Sequence, residues 1–181
     1  YQDYETQAQV SEVIKEDIEG IIATRSGGVV LAVQFYPSHY LFTKKPLRTK
    51  ADVQGLRIRI PNPVSNVLFD GMGAIASPVV LGDVLMALEN EELDAAISCS
   101  SCGAALSWYE RTGYLVGPIP ALGRSWLTVS GKIWSEMPPD IQLIIREEAM
   151  RHETATKESS LDLWDERGVR QNISAGMEHI E

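Results

Sequence analysis

Leu56-Arg57-Ile58-Arg59-Ile60 alternates apolar and basic residues, is stopped by Pro61, and runs at once into Asn62-Pro63. The period of two predicts a strand. Asn62 suits the cap of exposed backbone N–H groups, and Pro63 suits the first helical position. A strand feeding directly into a helix is the building unit of α/β folds, and the same order recurs along this chain. Val29-Val30-Leu31-Ala32-Val33 is a continuous apolar run suited to a central strand buried on both faces. Leu93–Ser98, ending in a loop at Cys99, and Trp126–Ser130 are further strands, and Ser77–Val80 is a short extended segment.

Helical spacing fills the intervals. Residues 5–22 carry Val10, Val13/Ile14, Ile18 and Ile21/Ile22 at three- and four-residue intervals among acidic residues. Val64, Val67, Leu68 and Met72 form the stripe of a short helix after Pro63, with Gly73 at its end. Asp83 is placed to cap a helix over Val84–Asn90. A long helix begins near Pro138-Pro139-Asp140, with Ile141, Ile144/Ile145, Ala149, His152, Ala155, Leu161 and Trp164 along one stripe. Gly168 is read as its end and Val169 as the opening of an extended segment. Together these predict an α/β fold with mostly parallel strands.

Sixteen Lys/Arg against twenty-five Asp/Glu give a net charge of -9. That excludes a broad basic surface for nucleic acid and gives no attraction to anionic membranes. No apolar run approaches the roughly 20 residues that span a bilayer. The charge is unevenly placed, because Lys44, Lys45, Arg48, Lys50, Arg57 and Arg59 fall within residues 44–59. The four outside the strand read as a solvated basic loop.

Arg57 and Arg59 share one face of their strand. Arg59 stands at its carboxyl end, where ligands of α/β folds bind. A guanidinium there can clamp a carboxylate through two charge-assisted bonds, beside a helix N-terminus with spare N–H donors. The bland alternatives are a structural ion pair or a solvent-facing arginine. His39 is the only histidine beside a strand exit, either a donor to an anion or a polar loop residue. His152 reads as a packed helix histidine.

Cys99-Ser100-Ser101-Cys102 is a lone CxxC with no metal-like histidine spacing. It reads as buried thiols or a disulfide, with a redox pair as the rival. Phe35, Tyr36, Tyr40, Trp108, Tyr109, Tyr114 and Trp126 can line a mostly apolar pocket or pack between layers. No nucleophile elbow, zinc-protease motif, phosphate loop or dinucleotide fingerprint is present. No catalytic residue, metal or cofactor is assigned.

Residues 41–62, from Leu41-Phe42-Thr43-Lys44-Lys45-Pro46 through Asp52-Val53-Gln54-Gly55-Leu56-Arg57-Ile58-Arg59-Ile60-Pro61-Asn62, closely resemble the central signature of TRAP transporter solute-binding proteins, the DctP-like family. The likeness continues through Gly73-Ala74, Pro78, Asp83-Val84, Ala87-Leu88, Leu93-Asp94-Ala95 and Trp134–Gln142, covering most of residues 25–168. The resemblance implies a type II-like periplasmic binding protein of two lobes with a hinged cleft, incomplete in this chain. It also implies a longer mature protein whose precursor carries a signal peptide.

By the resemblance, Arg59 is the residue that pairs with the ligand carboxylate. A second arginine of some members falls near His39, an asparagine near Ser98, and an aromatic pocket position at Leu81. Asp94–Cys99 replaces the family's frequent form here, which argues against sialic-acid-like specificity. The expected ligand-binding residues are Arg59, Asn62, Ser98, His39, Phe35, Tyr36, Leu81 and Trp108, with Cys99 and Cys102 as a candidate disulfide.

The expected division is 1–36 as part of the first lobe and 37–124 as the second-lobe core. Residues 125–164 form the return of the first lobe, and 165–181 start a crossover to the second. The expected partners are a small organic acid and the TRAP membrane permease subunits, with no nucleic acid and no membrane embedding. Exposed sheet edges in an incomplete first lobe invite self-association, for example as a homodimer. The expected activity is non-enzymatic periplasmic transport. A sensory or structural module of the same fold and a thiol-redox protein using Cys99/Cys102 are the alternatives.

Overall fold

A computed structural model describes residues 4–61, 63–119, 124–159 and 166–181. In chain order the elements are α1 (Tyr4–Ser26), β1 (Gly28–Phe35), β2 (His39–Thr43), β3 (Arg57–Ile60), α2 (Pro63–Asp70) and β4 (Ile75–Pro78). They continue as α3 (Val84–Glu89), β5 (Ala95–Cys99), α4 (Ser100–Ala105), β6 (Tyr114–Ile119) and β7 (Arg124–Ser130). The last are α5 (Gly131–Glu136), α6 (Pro139–Ser159), α7 (Arg167–Ser174) and β8 (Glu178–Ile180). They gather into two units, Tyr1–Tyr36 with Leu122–Leu161, and Pro37–Ala121 with Asp162–Glu181.

The second unit is built on a six-stranded sheet of order β4-β3-β5-β2-β6-β8. β3 is parallel to β4 and β5, and β6 is parallel to β8, whereas β2 is antiparallel to its neighbours β5 and β6. Five strands therefore run one way and β2 alone is reversed. The carboxyl ends of β3, β4, β5 and β6 lie at one edge, and β2 begins there at His39.

Both faces of this sheet are covered. Successive residues of a strand point to opposite sides, so Tyr40, Phe42 and Ala96 join Val84, Leu88 and Trp108 on one face. Leu41, Ile58, Ile60 and Ile97 join Leu47, Val53 and Phe69 on the other. Burying each large apolar side chain contributes about 1.5–3 kcal/mol.

Two glycines set the helix packing on the first face. A Cβ at Gly103 of α4 would overlap the Phe42 ring, and one at Gly168 of α7 would overlap Ser100 and Ser101. Only hydrogen at these positions lets α4 lie on β2 and α7 lie on α4. Asn172, fully buried, completes the second contact by donating from Nδ2 to the Ser100 carbonyl (2.9 Å) and the Gly168 carbonyl (2.8 Å).

In the first unit β1 pairs antiparallel with β7 as a two-stranded sheet, and α6 lies against β1. The Val33 N–H donates to the Glu153 carboxylate at 2.8 Å. Arg146 stacks over the Trp134 ring at 4.9 Å.

Several expectations change. β1, expected as a strand buried on both faces, pairs with β7 alone among the described residues, and its Val29–Leu31 are only half-buried. On α2, Val67 and Leu68 are exposed at 77% and 50%, and Phe69 is the residue that faces the core. Asp83 makes no side-chain cap bond. Where a loop is expected at Cys99, β5 turns directly into α4, and β6 follows.

Gly168 and Val169 lie inside α7 and do not mark a helix end and a strand start, because close helix packing uses the glycine. On α6, Ala149 is buried whereas Ile141 and Ile144 are 41% and 54% exposed. Leu161 and Trp164 lie outside the described residues.

Candidate functional site: a buried guanidinium at the carboxyl edge

Arg59 is the penultimate residue of β3 and is only 6% exposed. Its register partner on β5 is Ala96, so its side chain leaves the sheet on the face that carries Ala96 and Ser98. The flanking strands hold the guanidinium from both sides. Nε donates to the Val79 carbonyl just beyond β4 at 3.0 Å, and Nη1 donates to the Ile97 carbonyl of β5 at 2.8 Å.

Among the described residues no carboxylate pairs with Arg59, and its Nη2 has no partner. Burial pushes its pKa below the ordinary arginine value. A guanidinium stays protonated even so, which leaves a desolvated positive charge satisfied by neutral oxygens alone. The chemistry such a group completes is an ion pair with an incoming anion, through the planar fork that matches a carboxylate.

Arg57, two residues earlier, meets the opposite fate. It grips Asp94 through Nε–Oδ2 (2.9 Å) and Nη2–Oδ1 (2.7 Å), and its own N–H also donates to Oδ2 at 2.9 Å. The hydrogen bond raises the Arg57 pKa and holds the Asp94 carboxyl below its ordinary value. Lys44 donates to the Leu88 carbonyl, and Arg48 pairs with Glu178. Much of the basic segment is therefore already engaged.

Ser98, 7% exposed, is on β5 and paired in register with Tyr40. His39 opens β2 opposite Cys99, so it lies at the same edge as Arg59, while the register sends its side chain toward the opposite face. Leu81, 38% exposed, begins a single 3-10 turn after β4. Trp108 is fully buried within the core, edge-on to Phe42 with ring centroids 5.2 Å apart. Asn62 lies outside the described residues.

Phe35 and Tyr36 belong to the first unit. Arg124 stacks over the Phe35 ring at 5.5 Å, and the Tyr36 hydroxyl lies 3.4 Å from Ser125 Oγ. Cys99 and Cys102 are joined by a disulfide where β5 turns into α4. The residues that sequence reasoning missed are Asn172 and Gly168, which press α7 onto this turn. Their only signal was the glycine itself, read as a helix end.

The chain divides into two units, and the second carries the buried Arg59 guanidinium at the carboxyl edge of its sheet. This is the α/β fold of type II periplasmic binding proteins. The chain belongs to the family of bacterial extracellular solute-binding proteins, family 7 (DctP), which matches residues 5–181. The resemblance read from the residues is borne out. Membership places the chain outside the cytoplasm, and among the described residues no helix is long and apolar enough to cross a membrane.

A solute-binding protein of Chromohalobacter salexigens is 32% identical over 131 residues, 68% of this chain and 36% of its own length. One of Roseobacter denitrificans is 23% identical over 143 residues, 78% of this chain and 43% of its own length. Among solved structures, a Bordetella pertussis extracytoplasmic solute receptor binding pyroglutamic acid superposes with a TM-score of 0.90 at 15% identity, covering 98% of this chain. A periplasmic solute-binding protein of Xanthobacter autotrophicus with bound β-D-galacturonate gives 0.88 at 20% identity, covering 99% of this chain. The chain spans 58% and 60% of those two structures, and less than half of the curated relatives it matches.

Proposed function

We propose that this chain is the receptor part of a TRAP-type transporter, which captures a small organic acid by its carboxylate at Arg59 and delivers it to the membrane permease subunits. The observation that carries the reading is the buried Arg59 guanidinium with no carboxylate among the described residues. A buried unpaired charge is costly, so an anionic ligand that pairs with it recovers much of that cost on binding. Ser98 and Asn62 are the proposed neighbouring donors and Leu81 the apolar neighbour, whereas His39, on the opposite face of the sheet, is left out of the proposed set. The reading is of a receptor and not an enzyme. Solutes bound by related structures (pyroglutamate, galacturonate, glucuronate and galactonate) define the ligand class to try first.

The test is a thermal-shift screen with those four acids, each paired with its uncharged amide or methyl ester, followed by calorimetry on any that bind. At a hundred times Kd a ligand stabilises by about 2.7 kcal/mol. At least one acid is expected to raise the melting temperature saturably, its uncharged counterpart to fail, and Arg59→Ala to abolish the effect. Equal responses to acid and ester, or undiminished binding by Arg59→Ala, overturn the reading.

A further inference from the structure

Arg59 is held by carbonyl groups, so its position is only as firm as the strand ends that carry them. The Ile97 carbonyl that accepts from Nη1 lies two residues before Cys99, the last residue of β5. The disulfide ties Cys99 to Cys102 in the first turn of α4, and the Cys102 N–H donates to Cys99 Sγ at 3.1 Å. The next residue, Ser100, is fully buried, and its carbonyl is gripped by Asn172 of α7. Pairing of β5 with β3 ends at Ala96, and beyond it the strand end is held by β2 on one side, by the disulfide and by the Asn172 contact.

The sheet does not need this bond. β5 already pairs with β2 and β3, and a ring closed over so few residues constrains the unfolded chain little. The effect of the bond is local, on the strand end bearing Ser98 and the Ile97 carbonyl.

We propose that the Cys99–Cys102 disulfide positions the Arg59 anchor, and that thiol–disulfide exchange at this pair sets the affinity of the site for its solute. The inference rests on Arg59 as the carboxylate anchor. Cys99 is 6% exposed and Cys102 is half-buried, so a dithiol reductant attacks Cys102. The S–S bond breaks, a mixed disulfide forms on Cys102, and Cys99 leaves as a thiolate that takes up a proton. The second thiol of the reductant then displaces Cys102, so the reductant becomes a disulfide and two protein thiols remain. With the bond open, the β5 end and its Ile97 carbonyl gain freedom. The guanidinium loses preorganisation that binding must then restore.

The experiment compares the oxidised full chain, the same chain reduced with dithiothreitol, and a Cys99→Ser/Cys102→Ser variant. One readout is the 15N–1H signal of Arg59 Nε, assigned by its loss in Arg59→Lys. The other is calorimetric titration with galacturonate and pyroglutamate. Opening the bond is expected to shift the Arg59 signal, speed its exchange with water, leave Arg57 unmoved, and weaken binding about tenfold.

Reoxidation with glutathione disulfide restores the wild-type chain and not the variant, and the reduced wild-type chain gives the answer even if the variant folds poorly. An unmoved Arg59 signal and unchanged affinity, in a chain whose reduction is verified by mass, overturn the inference and leave the carboxylate reading intact. If the oxidised chain binds neither acid, the carboxylate reading falls for these solutes and the affinity claim falls with it. The Arg59 signal then decides the positioning claim on its own.

Discussion

Arg57 closes a two-pronged ion pair on Asp94, at 2.9 and 2.7 Å, across the β3–β5 boundary. Arg59, on the same face of the same strand, meets carbonyl oxygens and no carboxylate among the described residues. One arginine clips the start of β3 to the residue just before β5, and the other is left with charge to spare.

Asp94→Asn should lower the melting temperature by about 2–4 °C at neutral pH, the shift expected of roughly 1 kcal/mol in a chain of this size. The folded Asp94 pKa is depressed, chiefly by its hydrogen bond with Arg57. Its stabilisation is therefore fully present above the ordinary carboxylate value near 3.9 and is lost as pH falls through the folded value. Thermal melts of both proteins from pH 7 to pH 3 should show the gap narrowing once pH falls below the ordinary carboxylate value. A constant gap down to pH 3 would contradict the linkage.

Arg59→Ala should cost about 2–5 kcal/mol of carboxylate binding, a rise in Kd of roughly thirtyfold or more. Arg59→Lys keeps the charge and loses the planar fork, so it should fall between wild type and Arg59→Ala. Arg57→Ala should leave Kd nearly unchanged, because its donors are already committed to Asp94. Calorimetry on the three variants checks the order.

Gly168→Ala should destabilise the protein by about 1–3 kcal/mol, since the added methyl meets the backbone of Ser101 and the Ser100 hydroxyl, which cannot both step aside. Urea melts measure it. Gly20→Ala, where a Cβ meets nothing, is the control and should be neutral or slightly stabilising.

Trp108→Phe should be tolerated far better than Trp108→Ala, which removes a fully buried side chain at a cost of about 3–5 kcal/mol. The indole N–H has no hydrogen-bond partner among the described residues, so phenylalanine removes an unsatisfied donor as well as some packing. Denaturant titration of the two variants separates them. A solute affinity unchanged in Trp108→Phe is also expected, because the side chain sits wholly inside the core.

The elements with a strong local pattern were legible from the chain alone. The alternation at 56–60, ended by Pro61, became β3, and the Pro63 helix followed it directly. The resemblance carried by residues 41–62 singles out Arg59 by itself. β2 was hidden because Tyr40-Leu41-Phe42 has no alternation, its two faces being equally buried. α4, made of Ser, Cys, Gly and Ala, and α7, which carries Gly168 near its start, were hidden because such short helices owe their existence to the surfaces they rest on.

By itself the sequence determined the α/β class, the family, and which arginine deserved suspicion, since these are written in periodicity and in a contiguous motif. It could not tell why two arginines two residues apart differ. That difference depends on Asp94 meeting one of them and carbonyls from β5 and the segment beyond β4 meeting the other, which are contacts between distant parts of the chain. Nor could it show that Gly168 serves close packing and not termination, because what a missing Cβ makes room for is visible only when α7 lies against α4.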